Sequence, residues 1–130
     1  LGVKARLLVQ AFSGILQEVP SGYTQFLASL HFAFSPTTEV VIVGDSNASD
    51  TREMLAIIKK TFNPHIVTLL KDPNVTPEKL VTLAPFTANH TSINGKATAY
   101  VCRNYSCESP TTDAKQLLLL LNNKKPGQKG

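Results

Sequence analysis

The chain opens with two stretches in which apolar residues recur at helical spacing. The first stripe is made of Val3, Leu7, Leu8, Ala11, Phe12, Ile15 and Leu16. A turn cluster, Val19-Pro-Ser-Gly22, follows it, and a second stripe is made of Tyr23, Phe26, Leu27, Leu30 and Phe34. Residues 1–36 are therefore predicted to form an αα-hairpin, whose apolar stripes need neighbouring elements to bury them.

From Glu39 the pattern changes to strands that alternate with helices. Glu39-Val-Val-Ile-Val-Gly-Asp45 is a continuous β-branched run, typical of a strand buried on both faces of a parallel sheet. Two more strands are predicted at 65–70 and 98–102. Helices are predicted from Asp50, from Thr76 and from about Asp113 to Leu121. The β-α-β-α-β-α order predicts an α/β module over residues 37–121, built on a small three-stranded parallel sheet.

The helix starts carry capping signals. Asp50 has Glu53 three residues later, the spacing of a capping box. Thr76-Pro77-Glu78 has a cap residue followed by proline, which is favoured at the first helical position.

Composition and charge restrict the class of protein and the partners that we expect. A chain of 130 residues with 42% hydrophobic and 17% charged residues has globular values. Its formal charge of +4 falls to +1 without the lysines of the tail, residues 122–130, which we expect to be disordered. We therefore expect no nucleic-acid surface. No apolar run approaches the ~18 residues of a membrane span, so no membrane partner is expected. Because helical pattern begins at Leu1 without a methionine, the chain is expected to be part of a longer protein.

Four Asn-x-Ser/Thr triplets leave two cellular environments open. They lie at Asn47, Asn74, Asn89 and Asn104 and would suit a glycosylated secreted chain. The alternative is that turn-rich composition produces such triplets by chance. We favour the second interpretation and expect a cytoplasmic protein, in which the triplets are never modified.

The order of these segments resembles one protein family. Glu39-Val-Val-Ile-Val-Gly-Asp45 is followed by Asp50-Thr51, by Phe62-Asn-Pro-His-Ile-Val67, by Pro85-Phe86 and by the longer segment from Ala97 to Asp113. That last segment carries the specific part, Ala-Tyr-Val-Cys-x4-Cys-x-x-Pro-x-Thr-Asp. The succession is similar to the C-terminal region of the YyaL family, known in animals as spermatogenesis-associated, thioredoxin-domain-containing proteins. The resemblance is close over roughly residues 37–121.

The resemblance implies a longer, multidomain parent. Family members have a thioredoxin-like domain, then a helical toroid resembling the six-hairpin barrels of sugar epimerases and glycosidases, then this region. Residues 1–36 would then be the last hairpin of the toroid. The partner expected for the chain is the remainder of its own parent, and the isolated fragment is expected to self-associate through its apolar stripes. The thioredoxin Cys-x-x-Cys motif does not occur here, since the only pair, Cys102 and Cys107, has four residues between its members.

That cysteine pair is the sharpest candidate for chemistry. If all strands were parallel, Cys102 would share one sheet edge with Gly44, Asp45 and Asp72, because ligands gather where such strands end. Three alternatives remain open for the pair: inert thiols, a reversible disulfide, or half of a metal site. The other soft donors, His31, His65 and His90, are isolated in sequence, and only His90 precedes the third strand closely enough to approach. We therefore expect neither a metal nor a cofactor.

For the other residues that could suggest catalysis or phosphate binding, a structural role is the better explanation. Asp50 and Asp72 are better explained as cap and turn residues than as a hydrolytic carboxylate pair. The loop from Gly44 to Asp50 has one glycine and two carboxylates, which disfavour a phosphate. No catalytic residue is assigned, and the fragment alone is not expected to be an enzyme.

Three hypotheses about function follow. The leading one is a non-catalytic C-terminal module that serves assembly or closure of the parent's helical toroid. The second is thiol–disulfide exchange by Cys102 and Cys107 together with the parent's thioredoxin-like domain. The third is completion of a carbohydrate-processing site in the toroid.

Overall fold

The first of two compact units is a helical hairpin. The structure, a computed structural model, describes residues 2–75 and 78–123 and divides the chain between Pro36 and Thr37. Helix α1 (Val3–Glu18) and helix α2 (Thr24–Phe34) are joined by a 3₁₀ turn, Pro20–Tyr23. The ring of Phe12 packs against the rings of Tyr23 and Phe26, with centroids 6.0 and 5.7 Å apart. Neither helix has a buried residue, so these rings hold the hairpin together without enclosing a core.

The second unit is an α/β module. Its elements are, in chain order, β1 (Thr38–Val43), α3 (Ser49–Lys60), β2 (Ile66–Lys71), α4 (Glu78–Leu83), a 3₁₀ turn (Pro85–Thr87), β3 (Thr98–Arg103), β4 (Ser106–Cys107) and α5 (Ala114–Asn122). The four strands form one sheet in the order β2-β1-β3-β4. The α/β class predicted from the sequence is confirmed.

The three-stranded, all-parallel sheet predicted from the sequence is wrong. Strand β2 lies parallel to β1, with Thr38 beside Ile66 and Val43 beside Lys71. Strand β3 lies antiparallel to β1 on its other side, with Glu39 beside Cys102 and Val43 beside Thr98. The short strand β4 adds a fourth member, antiparallel to β3. The sheet is therefore mixed.

The path between β2 and β3 explains the reversal. Strand β2 ends at the same edge as β1, because the two are parallel. Strand β3 begins at that edge too, since its first residue, Thr98, pairs with the last residue of β1, Val43. The connection over α4 and the 3₁₀ turn thus returns to the edge where it started. A strand entering there can only run antiparallel to β1.

The main core lies on one face of the sheet. Helices α3 and α5 cover this face, and Met54 and Leu117 are fully buried there. The buried cluster comprises Val40, Ile42, Met54, Ile58, Ala97, Ala99, Val101, Leu117 and Leu121. The alternate residues of β1, Val41 and Val43, are also buried and point to the opposite face. Strand β1 is therefore covered on both sides, as its continuous apolar run predicts.

The predicted helix starts agree with the structure at α5 but not at α3. Asp113 is the N-cap of α5 and accepts a hydrogen bond from the Lys115 N–H at 2.8 Å, which agrees with a helix starting near Asp113. The capping box at Asp50 is wrong, because the N-cap of α3 is Ala48. Asp50 instead reaches the residue before β3, where its Oδ2 accepts from the Ala97 N–H at 2.8 Å. The predicted start at Thr76-Pro77 lies outside the described residues.

Helix α5 is the last element of the described residues. Helix α5 extends to Asn122, so residue 122, with which the predicted tail was expected to begin, is helical. Residues 124–130, where that tail was expected, lie outside the described residues. Among the helices that the structure describes, none has the length and apolar character needed to cross a bilayer.

Candidate functional site

A disulfide joins the two cysteines across a tight hairpin. The sulfur atoms of Cys102 and Cys107 are 2.06 Å apart and their Cα atoms 3.9 Å apart. The two residues face each other in the β3–β4 ladder. Cys102 is only 4% exposed, whereas Cys107 lies at the surface. One sulfur is therefore held inside the protein and the other belongs to an exposed residue.

The turn between β3 and β4 brings the cysteines together. Its two central residues, Asn104 and Tyr105, have φ angles of +49° and +63°. Positive φ at both positions is the property of a type I′ turn, whose twist matches that of a β-hairpin. The Glu108 N–H also donates to the Val101 carbonyl at 2.9 Å, which continues the antiparallel pairing beyond the disulfide. Asn104 was the available sequence signal for this hairpin, since asparagine tolerates positive φ.

His90 lies beside this hairpin on the sheet face opposite the main core. Its ring stacks on the ring of Tyr100, with centroids 4.1 Å apart and an interplanar angle of 21°. The ring of Phe86 meets it edge-on at 6.1 Å. The Tyr100 hydroxyl donates to the Thr91 carbonyl at 2.8 Å, which fixes the loop next to His90. Residues from two sides therefore hold the imidazole in place.

Lys71 fixes the backbone around His90. Its ammonium donates to three carbonyls, those of Thr87, Ala88 and His90, at 2.8, 3.0 and 2.8 Å. This cation, at the end of β2, holds the loop that follows the 3₁₀ turn against the sheet. The same charge acts on the imidazole.

The environment of His90 favours the neutral imidazole. Burial lowers the pKa of His90 below its usual 6.5, and the nearby charge of Lys71 lowers this pKa further. Its Nδ1 atom is buried and has no hydrogen-bond partner among the described residues. A neutral imidazole can act as a base or as a metal ligand.

The structure brings His90 and both cysteines together. One ring nitrogen of His90 and the two sulfur atoms all lie within 4.8 Å of one another. The sequence indicated His90 as the histidine able to approach the pair, but it placed the site at the wrong edge of the sheet. The antiparallel direction of β3 puts Cys102 beside Glu39, at the end of β1 opposite Gly44. Glu39 and Gly44 are five residue steps apart along the extended chain, roughly 16 Å at the usual rise.

The other predicted edge residues, Gly44, Asp45 and Asp72, follow the ends of the parallel strands β1 and β2, away from the cysteines. The Gly44 N–H donates to the Lys71 carbonyl at 3.1 Å, and Asp72 Oδ2 accepts from the Ser46 N–H at 2.8 Å. Asp45 Oδ1 accepts from the Asn47 N–H at 2.8 Å. The proposed rim shared by Gly44, Asp45, Asp72 and Cys102 is therefore wrong.

Asp72 serves this edge as a structural acceptor. It is 8% exposed, and its Oδ1 accepts from the Asn74 N–H at 2.8 Å. Hydrogen bonds from Ser46, followed by that from Asn74, hold the pKa of Asp72 below its usual 3.8. A carboxylate whose two oxygens both accept from backbone N–H groups stabilises the turns on either side of it.

Comparison with known proteins identifies the relatives of the chain. It is 30% identical over 120 residues to spermatogenesis-associated protein 20 of Homo sapiens, and 29% identical over 120 residues to the proteins of that name from Rattus norvegicus and Mus musculus. Each alignment covers 92% of this chain and 15% of the relative. The chain thus spans about 15% of the length of the curated relatives it matches.

No protein-family model matches the chain, and no solved structure matches it. The family resemblance inferred from the motifs of the sequence is confirmed by the curated relatives: the chain is homologous to a segment of spermatogenesis-associated protein 20.

Proposed function

We propose that this chain is a non-catalytic module of a longer protein and that its helical hairpin serves assembly by packing against other helices of the same parent. The observation that carries the proposal is the exposure of the hairpin's apolar side chains. Leu7 is 58% exposed, Leu8 52% and Phe34 71%. The set of exposed large apolar residues in residues 2–36 comprises Val3, Leu7, Leu8, Phe12, Ile15, Val19, Phe32 and Phe34.

Helices with such a surface are stabilised mainly by tertiary packing. An isolated helix is marginal in water, and an apolar stripe gains free energy when another element covers it. The α/β module has its own core and needs no further cover for it. The hairpin is therefore the part of the chain that supports a role in assembly.

The occupant we propose for the apolar surface is the remainder of the parent chain. The relatives extend far beyond the aligned segment, since the match covers 15% of their length. The helical toroid implied by the family resemblance would supply helices of suitable character. Closure of that toroid by residues 1–36 is the specific form of the proposal.

A pair of substitutions in the parent tests it. The double variant Leu7→Ser, Leu8→Ser removes apolar area from the proposed contact and should lower the parent's melting temperature by several degrees. The matched control, Lys4→Ser, changes an exposed polar residue of the same helix and should leave the melting temperature unchanged. Equal melting temperatures for the double variant and the wild-type parent would contradict the assembly role.

The disulfide supports a second candidate function, thiol–disulfide exchange. In the proposed reaction, an external dithiol attacks the sulfur of the exposed residue, Cys107, forms a mixed disulfide and releases Cys102 as a thiolate. The second thiol of the reductant then resolves the mixed disulfide. The reductant leaves as a disulfide, and the protein gains two electrons and two protons as two thiols.

Two measurements separate the candidates. Equilibration of the chain in thiol redox buffers, read by alkylation and mass spectrometry, should give a midpoint in the cellular range of about −180 to −320 mV for a working redox pair. The double variant Cys102→Ser, Cys107→Ser should lose all redox-dependent behaviour while staying folded. A loss of stability alone would support the assembly role. A redox role agrees with a cytoplasmic location, which we also propose, because lasting structural disulfides are rare there.

The carbohydrate-processing hypothesis stays a prediction from the resemblance. It requires that a sugar raise the parent's melting temperature and that deletion of this module abolish the rise. None of the described residues contributes an observation that favours it over the other two.

A further inference from the structure

Three donor atoms of the kind that bind thiophilic metal ions meet at the β3–β4 hairpin. The sulfur atoms of Cys102 and Cys107 and a ring nitrogen of His90 lie within 4.8 Å of one another. Cysteine and histidine are the usual protein ligands of Zn²⁺. The buried Nδ1 of His90 has no hydrogen-bond partner among the described residues, which leaves one nitrogen of the ring without a structural role.

The positions of these donors are fixed by separate parts of the module. The ladder between β3 and β4 places Cys102 opposite Cys107. The stacked ring of Tyr100 and the Lys71 bonds to the neighbouring carbonyls place His90. A site held in this way loses little conformational freedom when a ligand binds, which favours affinity.

We propose that, when the disulfide is reduced, Cys102, Cys107 and His90 bind a Zn²⁺ ion and leave its fourth position open to water or another ligand. The metal site exists only in the dithiol form, since a disulfide offers no thiolate. The redox state of the pair therefore decides whether the module holds zinc.

The distances fit a small rearrangement. In tetrahedral zinc sites, metal–sulfur and metal–nitrogen bonds of about 2.3 and 2.0 Å place the ligand atoms roughly 3.5–3.8 Å apart. Reduction breaks the bond between the sulfur atoms and must let them move apart, and the imidazole nitrogen must stay near or approach them from within 4.8 Å. The exposed position of Cys107 at the end of the short strand β4 allows the sulfur movement without changing the core.

Disulfide reduction and zinc binding are two separate steps, each with its own exchange of electrons or protons. A dithiol or phosphine reductant supplies two electrons, and two protons complete the Cys102 and Cys107 thiols. Zinc binding then releases those two protons, because the metal binds thiolates and a neutral imidazole. The Zn²⁺ charge is cancelled by two thiolates, so the neighbouring ammonium of Lys71 faces a site with no net charge.

Cobalt binding to the 130-residue chain tests the proposal, because Co²⁺ replaces Zn²⁺ and absorbs visibly when bound by thiolates. The reduced wild-type chain should show a thiolate-to-cobalt charge-transfer band that added Zn²⁺ abolishes. The oxidised chain should show none. His90→Ala should weaken zinc binding by more than about tenfold. Even residues that only hydrogen-bond a metal ligand contribute roughly 10–100-fold to metal affinity, and His90 would be a ligand itself. The matched control, His31→Ala, changes a histidine of α2 and should bind as the wild type does.

A second variant tests metal binding in a chain that is expected to stay folded. Cys107→Ser changes an exposed residue, so circular dichroism should show an unchanged fold while the charge-transfer band weakens or disappears. The proposal is overturned if the reduced, folded chain gives no thiolate band, if the oxidised chain binds equally well, or if His90→Ala keeps wild-type affinity. None of these results would affect the assembly role of the hairpin, which depends on other residues.

Discussion

At the scale of single residues, Gly44 has the least room for a side chain among the glycines that the structure describes. A Cβ atom there would lie against Thr51 Oγ1 and 3.3 Å from both the Cα and the Cβ of Ala97. Thr51 is fully buried, so it has little space to move away. The glycine after β1 therefore allows helix α3 and residue 97 to approach the end of the strand.

We expect Gly44→Ala to destabilise the chain by about 1–3 kcal/mol, the usual cost of overpacking a close-packed site. Urea unfolding followed by circular dichroism measures the change. Gly14→Ala is the matched control, because a Cβ at Gly14 meets nothing within 4 Å in the middle of α1. That variant should be neutral or slightly stabilising. Equal stability of Gly44→Ala and the wild type would refute the packing argument.

Asp50 connects α3 to the residue before β3 by a charge-dependent contact. Its Oδ2 accepts from the Ala97 N–H, and this hydrogen bond is the main cause that holds the pKa of Asp50 below its usual 3.8. A carboxyl group whose pKa is lower in the folded state stabilises the fold above its unfolded pKa. That contribution is lost as the pH falls through the folded value.

Asp50→Asn should therefore cost about 1 kcal/mol at neutral pH, less than the ~1.5–3 kcal/mol of a fully buried charged hydrogen bond, because solvent screens the group. The difference from wild type should shrink as the pH is lowered below 3.8. Urea unfolding over a pH series measures it. Glu53→Gln, which changes an exposed carboxylate of the same helix to an amide, is the matched control. A penalty for Asp50→Asn that is the same at all pH values would count against the linkage.

At the scale of elements, helix α5 shows how one run of leucines separates into buried and exposed positions. Leu117 is fully buried and Leu121 is 7% exposed, whereas Leu119 is 59% exposed. The buried pair is four residues apart and so faces the sheet together. The sequence predicted a buried helix from about Asp113, because helical periodicity depends on neighbouring residues in the chain.

Leu117→Ala should destabilise the module by about 2–5 kcal/mol, since it removes a fully buried side chain and leaves a cavity. Leu119→Ala makes the same chemical change at an exposed position of the same helix and should cost less than about 1 kcal/mol. Thermal or urea unfolding compares them directly. Similar losses for the two variants would mean that α5 does not pack as described.

The strand directions could not be read from the same kind of pattern. The apolar run of β1 predicts burial on both faces, but it fits a parallel or an antiparallel neighbour equally well. The β-α-β order favoured parallel strands, and this holds for β2. The prediction of a parallel strand failed for β3, because the connection after β2 returns to the sheet edge where β2 ends. Cys102 therefore lies at the other end of β1 from Gly44, and the site expected at one shared edge does not form. The β3–β4 hairpin was missed because Tyr105, with φ of +63°, is not a usual turn residue.

At the scale of the whole molecule, the two units differ in how they are stabilised. Among its described residues, the α/β module encloses a core of nine buried side chains, from Val40 to Leu121. The described helices of the hairpin contain no buried residue. A chain with one self-sufficient unit and one uncovered apolar surface is expected to associate in solution.

We therefore expect the isolated chain to self-associate in a concentration-dependent way and to bind a hydrophobic dye. Sedimentation velocity and dye fluorescence measure these properties. Leu7→Ser with Leu8→Ser should shift the chain towards monomer, while Lys4→Ser should not. A compact wild-type monomer without dye binding would contradict the assumption that the hairpin lacks its neighbours.

The sequence by itself determined the features that arise between near neighbours in the chain. It predicted helices near their observed positions and the buried character of β1, and it contains the motifs that carry the family resemblance. Only the tertiary structure decided the direction of β3, the cross-chain role of Asp50 and the meeting of His90 with Cys102 and Cys107. The reason is physical: periodicity records which face of an element is buried, whereas the contacts between distant segments depend on the path of the connections between them.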